Sequence, residues 1–175
     1  IHGQMMRADQ VTRMKALGAL PTFFAAHTFY WGDYHRESTL GSPRAERISP
    51  TRDAINAGLT LTTHHDSPVI MPNAMRIVDA TVNRTTRTGK ILGPEQRLTP
   101  FEALKAVTIW GALQHFEDAS KGTLTLGKRA DFAVLSDNPL KIAPSKIKTI
   151  RVTATIKDGQ RIYCAPDQTH ITICK

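Results

Sequence analysis

Segments typical of β-strands alternate with segments typical of helices over the first 120 residues of this chain. Residues 19–26 form a continuous, mostly apolar run of strand length, and residues 59–65 form a β-branched run that ends directly before Asp66. Apolar residues recur at helical spacing over residues 8–17, and the pattern also predicts a helix over residues 73–83. Strands that alternate with helices in this way predict an α/β fold with a parallel sheet.

Two further helices have recognisable start signals. Ser49 and Pro50 match a helix N-cap followed by proline at the first helical position, and Gly58 would end that helix after two turns. Residues 99–116 begin with a capping box and are apolar on most faces, which predicts a buried helix. Residues 28–49 show no periodicity, so we expect a long functional loop there.

Beyond residue 120 the pattern changes to short strands. The dipeptide Asp158-Gly159 separates two runs of strand-forming residues and predicts a β-hairpin. We therefore divide the chain into an α/β part over residues 1–120 and a small β domain over residues 121–175. The strands expected in that domain cover residues 122–126, 132–136, 147–157 and 161–163.

Composition and charge exclude several classes of protein. The chain has 175 residues, of which 41% are hydrophobic and 22% are charged, as in an ordinary globular domain. Its net charge of +8 is spread evenly, because each of the segments 1–50, 51–100, 101–150 and 151–175 carries +2. A nucleic-acid-binding protein concentrates its basic residues on one surface, so we expect no nucleic-acid partner. No apolar run approaches the roughly 18 residues of a membrane span, so we expect a soluble chain without membrane contact.

Two cysteines, Cys164 and Cys174, lie near the end of the chain. Their spacing allows a small disulfide-closed loop in an oxidising compartment, or two unpaired thiols in the cytoplasm. We favour the two free thiols, and with them a cytoplasmic location.

Histidines are concentrated where the predicted strands end. His27 follows the strand over residues 19–26, Asp66 follows the strand over residues 59–65, and His2 would follow a strand at the start of the chain. The carboxyl ends of parallel strands form the rim at which α/β proteins bind their ligands. Imidazole and carboxylate groups that converge there suit Zn²⁺ or a similar divalent ion, which needs three or more ligands and one open position.

Each of these residues also has a purely structural interpretation. His2 could lie on the surface, and His27 and His35 could bridge polar atoms within the long loop. Asp66 could be the N-cap of the turn that follows it, a role worth about 1 kcal/mol. The spacing alone leaves these alternatives open. It also does not decide whether the aromatic residues of the loop form a small core of their own or line a substrate cleft; these residues are Phe29, Tyr30, Trp31 and Tyr34.

Five short motifs stand in a characteristic order along the chain: Ile1-His2-Gly3-Gln4, the run from Ala26 to Asp33, His64-His65-Asp66-Ser67-Pro68, Lys121-Gly122-Thr123-Leu124, and the run from Gly127 to Phe132. In this order they resemble the carboxy-terminal part of the amidohydrolase superfamily. Within it the sequence is most similar to the amidohydrolase 3 family, which includes N-substituted formamide deformylases. The resemblance extends to about Tyr163.

The resemblance implies a metal-dependent (βα)8 TIM barrel with a β-sandwich domain built from both ends of the chain. Residues 1–120 would supply the end of barrel strand six together with strands seven and eight, and residues 121–175 the carboxy-terminal part of the β-sandwich. A complete barrel needs roughly 200 to 250 residues. The family's metal ligands after strands one, four and five have no counterpart here and would precede Ile1. The missing amino-terminal part of the same protein is therefore an expected partner.

The same resemblance implies roles for individual residues. His2 corresponds to the metal ligand after strand six. Asp66 corresponds to the aspartate after strand eight, which binds metal and accepts a proton from the attacking water. The cofactor would be a divalent metal, zinc, as one or two ions. The substrate cleft would be lined by His27, which follows strand seven, and by His35, Trp31 and Tyr30.

The sequence therefore predicts a metal-dependent hydrolase of non-peptide carbon–nitrogen bonds, with a small-molecule amide or N-substituted formamide as substrate. The alternative is a truncated, inactive fragment that needs the missing amino-terminal part. Assembly into a homo-oligomer stays open, and the even charge distribution disfavours a basic nucleic-acid-binding module. If the metal roles are right, a ring nitrogen of His2 and the Asp66 carboxylate should lie about 4 to 6 Å apart on one rim of the sheet. An N-cap Asp66 would instead turn its carboxylate onto the amides of residues 68 or 69.

Overall fold

A short parallel sheet lies beneath the histidine-rich segments. The computed structural model describes residues 1–168 and 172–174. Strand β1 (Thr22–Phe23) pairs in parallel with strand β2 (Thr62–Thr63), with Thr22 opposite Thr62 and Phe23 opposite Thr63. His2 forms a single parallel bridge with Phe23. The three segments therefore run side by side in the order His2, β1, β2.

Both strands are shorter than the sequence predicts. All of residues 21–26 are buried, as expected for a strand that is covered on both faces. Ladder pairing is nevertheless confined to two residues in each strand. The strands predicted over residues 19–26 and 59–65 are thus correctly placed but too long. A segment becomes a strand only where a neighbour supplies partners for its N–H and C=O groups, and an apolar run does not report where that neighbour ends.

Helices precede and follow both strands. In the described part of the chain these are α1 (Ala8–Ala16), α2 (His27–Tyr34), α3 (Ser42–Ala45), α4 (Thr51–Asn56), α5 (Ala74–Asn83), α6 (Pro100–Ala106) and α7 (Ile109–Gln114). A π-helical segment covers His35–Thr39, and 3₁₀ turns cover Pro94–Gln96, Pro144–Thr149, Pro166–Gln168 and Thr172–Cys174. The helices predicted over residues 8–17 and 73–83 are confirmed as α1 and α5. The side chain of Asn73 caps α5 by accepting a hydrogen bond from the Arg76 N–H at 3.0 Å.

The long loop expected over residues 28–49 is wrong, because most of this segment is helical. Its helical period is hidden, since the residues at four-residue spacing on one face are two polar side chains and one aromatic: His27, Trp31 and His35. Trp31 packs against a buried cluster that includes Phe24. Packing of that kind depends on the tertiary structure, and an apolar periodicity cannot reveal it.

The capping box at the start of α6 is confirmed. Thr99 Oγ1 accepts a hydrogen bond from the Glu102 N–H at 3.2 Å, and the Thr99 N–H donates to the Glu102 carboxylate at 2.8 Å. The predicted single helix over residues 99–116 is wrong, since it breaks into α6 and α7 at Thr108 (φ −129°, ψ −99°). The Thr108 hydroxyl donates to the Leu104 carbonyl at 2.7 Å, a bond that competes with the helix ladder. The second half is also less buried than expected, because Phe116 is 93% exposed.

The predicted start of α4 is wrong by one residue. Pro50 occupies the N-cap position, and α4 begins at Thr51. Ser49 cannot cap the helix because its φ of +49° differs from the extended conformation that an N-cap residue adopts. Its hydroxyl is buried without a hydrogen-bond partner among residues 1–168 and 172–174. The end of the helix is as predicted, with Gly58 at φ +75°.

Residues beyond 120 contain a three-stranded antiparallel sheet in the order β3 (Phe132–Leu135), β4 (Val152–Lys157), β5 (Gln160–Cys164). The predicted hairpin is confirmed, since Asp158 and Gly159 join β4 to β5 with φ values of +52° and +77°. That is the left-handed pair a tight hairpin turn requires. The strand expected over residues 122–126 is absent from the described sheets, and the one expected over residues 147–157 begins as the 3₁₀ turn Pro144–Thr149.

One main core joins the two parts of the chain. Ile147 and Ile150, from the β-rich part, belong to the same buried cluster as Phe23 and Leu61 from the parallel sheet. The fold is mixed α/β, in agreement with the sequence. The domain boundary near residue 120 stays a prediction, because a core shared by both parts of the chain gives no evidence for two separate domains. No helix in residues 1–168 and 172–174 is long and apolar enough to cross a membrane.

The prediction of two free thiols is wrong. Cys164, at the end of β5, forms a disulfide with Cys174, and their Cα atoms lie 5.8 Å apart. The turn Thr172–Cys174 lies against the strand, where the Arg161 guanidinium contacts the Ile173 carbonyl at 3.4 Å. This return brings the two cysteines within bonding reach. The predicted cytoplasmic location depended on free thiols and therefore loses its support.

Candidate active site

His2 and Asp66 meet at the carboxyl end of the parallel sheet. The His2 Nε2 atom lies 3.1 Å from Asp66 Oδ2, and the side chains are 40% and 31% exposed. This separation is shorter than the 4 to 6 Å expected from the sequence. The Asp66 carboxylate therefore points across the rim to His2. It does not turn back as an N-cap would, because the Val69 N–H bonds the backbone carbonyl of Asp66 instead.

Both residues adopt a left-handed backbone conformation, which is uncommon outside glycine although histidine and aspartate adopt it more often than most residues. The φ angles of His2 and Asp66 are +67° and +57°, in the left-handed region. A non-glycine residue pays about 1 to 3 kcal/mol to adopt a sparsely populated conformation, and such residues cluster at functional sites. The left-handed turn after each strand aims the two side chains at one another.

Further histidines surround this pair. The ring centroids of His2 and His64 lie 5.0 Å apart, and those of His2 and His27 lie 6.3 Å apart. Phe24 packs edge-on against the His27 ring at 4.5 Å. His27 Nδ1, His64 Nε2 and His65 Nε2 are buried and have no hydrogen-bond partner among the described residues. Buried polar atoms are normally hydrogen-bonded, so these nitrogens are available for hydrogen bonds to water or to a ligand.

The environment favours the neutral form of two half-buried imidazoles. Burial, reinforced by the neighbouring His35 and His2 rings, lowers the pKa of His27 to about 4. Burial also lowers the pKa of His64 below its ordinary value, with His2 as the next cause. A neutral imidazole has one donor and one acceptor nitrogen, so His27 can donate a hydrogen bond near neutral pH without carrying a charge.

His35 is held from both sides of its ring. Its Nε2 lies 3.0 Å from the Gln4 side-chain nitrogen, and its Nδ1 lies 3.1 Å from the Thr39 hydroxyl. Burial lowers the pKa of His35 as well. Because both ring nitrogens are engaged, His35 has no free donor for a substrate in this arrangement. His27, whose ring centroid lies 6.1 Å from that of His35, is the better placed donor.

The aromatic residues of α2 divide between the site and the surface. The Trp31 ring lies 5.7 Å from the His27 ring and 6.0 Å from Phe24, so it borders the histidine cluster. Tyr30 lies one ring further away, 5.5 Å from Trp31, with Arg87 over its other side at 5.7 Å. Tyr34 is 56% exposed. Of the residues predicted to line a cleft, Trp31 is therefore in direct contact with the cluster and Tyr30 is behind it.

The His2 and Asp66 pair fits part of a metal site. Two ligands of one tetrahedral zinc ion, each about 2.1 Å from the metal, are roughly 3.4 Å apart, close to the 3.1 Å between His2 Nε2 and Asp66 Oδ2. Nitrogen and carboxylate oxygen are also the donors that a catalytic zinc ion prefers. No group of three or more His, Cys, Asp or Glu side chains that could hold a metal occurs within residues 1–168 and 172–174. The 3.1 Å contact is also that of an ordinary hydrogen bond or ion pair, so the geometry is compatible with two metal ligands and does not by itself assign them.

One residue of the cluster was missed as a site residue from the sequence. The sequence predicted no site role for His64, yet its ring packs directly on His2. The available signal is its position directly after β2, at the edge of the sheet where Asp66 also lies. The contact between Gln4 and His35 had no sequence signal, because it joins the turn after His2 to the π-helical segment, and only long-range packing decides that.

Comparison with known proteins identifies the family of this chain. The model of the amidohydrolase family matches residues 1–163, and the chain belongs to this family. Among solved structures, a metal-dependent hydrolase from Pyrococcus horikoshii OT3 is 25% identical, with a TM-score of 0.69. The match covers 82% of this chain and 29% of that structure. An amidohydrolase from Thermotoga maritima, 16% identical with a TM-score of 0.65, shares the fold.

Two curated relatives show the same partial coverage. An N-substituted formamide deformylase from Arthrobacter pascens is 27% identical over 162 residues, which is 93% of this chain and 30% of the relative. An imidazolonepropionase from Streptococcus pyogenes is 29% identical over 133 residues, covering 76% of this chain and 27% of the relative. The chain thus spans less than a third of the length of these relatives.

Proposed function

We propose that this chain contributes to a metal-dependent hydrolase of non-peptide carbon–nitrogen bonds whose substrate is a small amide or an N-substituted formamide. The observation that carries the proposal is the 3.1 Å approach of His2 Nε2 and Asp66 Oδ2 on one rim of a parallel sheet. Family membership supports a hydrolase, and the deformylase among the relatives supports the substrate class.

The proposal includes an architecture. The segment around His2, strand β1 and strand β2 would be the last three strands of a TIM barrel, six to eight, and residues 121–175 part of a β-sandwich. The parallel register and the site at the carboxyl ends of the strands support this assignment. The remaining strands and metal ligands would come from the amino-terminal part of the same protein.

His2 and Asp66 would hold a divalent metal, which we propose to be zinc. When bound, such an ion acidifies water and polarises a carbonyl group. Asp66 accepts the proton of the attacking water at a carboxylate oxygen and returns it to the leaving nitrogen.

The other residues of the site bind and orient the substrate. His27 is neutral and has a free ring nitrogen, so it can donate a hydrogen bond to the carbonyl oxygen as negative charge develops there. Trp31 provides an apolar wall for the substituent on the amide nitrogen, with Tyr30 behind it. His35 keeps Gln4 and the π-helical segment in place and borders the cleft.

The first test is the substitution Asp66→Asn in the intact protein. It removes the ligand charge and the proton acceptor while keeping the size of the side chain. We expect turnover of N-substituted formamides to fall by about two orders of magnitude or more, and bound zinc, measured by elemental analysis, to fall with it. The circular dichroism spectrum should not change.

The matched control is Asp137→Asn, the same substitution at an exposed aspartate in the turn after β3. It should keep both activity and metal content. Retention of more than about a tenth of the activity by Asp66→Asn would overturn the role assigned to Asp66. Loss of activity in both variants would point to general instability instead.

A further inference from the structure

A half-open surface cavity lies beside the candidate active site. It has a volume of about 570 Å³ and is lined by residues 4–8 together with Arg44 and Arg47. This volume lies within the range of small-molecule sites. Gln4 connects the cavity to the active site, because its side chain also contacts His35 at 3.0 Å. Nothing in the proposed hydrolysis uses this cavity.

The cavity carries positive charge and no acidic lining residue. Two of its three arginines form ion pairs with aspartates that do not line the cavity: Arg7 with Asp9 at 2.8 Å and Arg47 with Asp53 at 2.6 Å. Arg44 has neither an ion pair nor a side-chain hydrogen bond within the described residues, so its guanidinium donors face solvent. A guanidinium group binds carboxylates with two parallel hydrogen bonds, so Arg44 is the group of this cavity that is available to bind an anion.

Apart from Gln4, the rest of the lining is apolar. Met5 is 44% exposed, and Met6 and Ala8 extend the same wall. Methionine side chains adapt their shape to apolar ligands. A ligand that satisfies both features needs an anionic end for Arg44 and a short apolar portion for the methionines.

We propose that this cavity binds a small organic carboxylate with an apolar tail, whose carboxylate pairs with Arg44 and whose tail lies against Met5 and Met6. The site is separate from the metal pair and does not depend on the proposed hydrolysis. A carboxylate bound there would lie next to Gln4, whose side chain contacts His35.

The test is a titration of the protein with hexanoate at constant ionic strength, followed by the ¹³C-methyl NMR signals of methionine. The chain has five methionines, so Met14, Met71 and Met75 serve as internal references. We expect the Met5 and Met6 signals to shift with a Kd on the order of millimolar, as for a small ligand with one ion pair. Hexanol, which has the same tail and no charge, should shift neither signal.

Two variants separate the arginine contact from bulk charge. Arg44→Gln should weaken hexanoate binding about threefold to fivefold, the effect of losing an exposed ion pair. Arg13→Gln removes the same charge from the exposed face of α1, outside the cavity, and should leave binding unchanged.

Three results would overturn the proposal: equal affinity in both variants, equal shifts with hexanol, or binding of inorganic phosphate as tight as that of hexanoate. The last would show a general anion site without apolar selectivity. None of these measurements uses turnover, so the proposed hydrolase could fail or stand independently of this cavity.

Discussion

Arg84 shows how one buried side chain positions the loops next to the candidate site. It is fully buried at the end of α5, and its guanidinium donates to the carbonyl oxygens of Ile48, Ser49 and Leu92 at 2.8, 3.2 and 2.7 Å. Burial lowers its pKa to about 10, so it keeps its charge at neutral pH. The Ser49 N–H in turn donates to the Gln4 carbonyl at 2.8 Å. Arg84 is therefore connected to His35 by successive hydrogen bonds through Ser49 and Gln4.

The loop that packs on Arg84 contains a glycine that no other residue can replace. Gly93 has φ +60°, and a Cβ atom there would overlap the carbonyl oxygen of Glu46. We expect Gly93→Ala to lower the free energy of unfolding by several kcal/mol. The backbone at Glu46 would have to move to make room for the Cβ atom, and alanine would have to adopt the left-handed conformation. Urea denaturation followed by circular dichroism measures the change.

Gly89→Ala is the control for that substitution. Gly89 also has a positive φ, +86°, but a Cβ atom there would meet nothing within 4 Å. It should lower the free energy of unfolding only by the left-handed penalty of about 1 to 2 kcal/mol. Similar losses in the two variants would contradict the close approach of Glu46 to Gly93.

At the scale of elements, an ion pair connects α6 to α4. The Arg52 guanidinium donates to both carboxylate oxygens of Glu102, at 3.0 and 2.6 Å, and both side chains are less than a quarter exposed. This contact, assisted by the Thr99 cap and opposed by partial burial, lowers the pKa of Glu102 to about 2. One glutamate thus begins α6 and also fixes where that helix packs.

The Glu102 pair predicts a specific loss of stability in acid. A carboxyl group whose pKa is lower in the folded state than its unfolded value of about 4.3 stabilises the fold above that value and stops doing so as the pH falls towards 2. Glu102→Gln should therefore lower the free energy of unfolding by about 1 to 2 kcal/mol at pH 7, and the difference should shrink between about pH 5 and pH 2.

Denaturation curves at several pH values measure this difference, with Glu37→Gln as the matched control, because Glu37 and its partner Lys90 are both exposed. The control should lose little stability at any pH. A difference between Glu102→Gln and the natural chain that stays constant down to pH 2 would show that the Arg52 contact does not set the stability of α6.

At the scale of the whole molecule, the proposed metal site needs more ligands than the described residues bring together. His2 and Asp66 would supply two of them, and the chain spans less than a third of its curated relatives. We expect the isolated 175-residue chain, purified and supplied with zinc, to hydrolyse N-substituted formamides no faster than zinc alone, because two ligands hold the ion weakly. Turnover above that background from pure 19.4 kDa material would refute the need for further ligands.

Local chemistry explains which parts were predictable. The caps of α5 and α6, the glycine after α4 and the Asp158-Gly159 hairpin follow from bonds and φ angles within a few residues, so the sequence determined them by itself. The placement of His2, His27 and Asp66 at strand ends was equally local. Helix α2 was hidden because its period is carried by His27, Trp31 and His35, whose shared face is visible only against its packing partners.

Only the tertiary structure decided how these local pieces meet. The sequence could place His2 and Asp66 after two strands, but their 3.1 Å approach depends on the parallel register of β1 and β2 and on two left-handed turns. The packing of His64 on His2, the support of His35 by Gln4 and the Cys164–Cys174 disulfide each join segments that are separate in sequence or fold back on one another. Contacts of this kind depend on long-range packing, and no local pattern of residues encodes them.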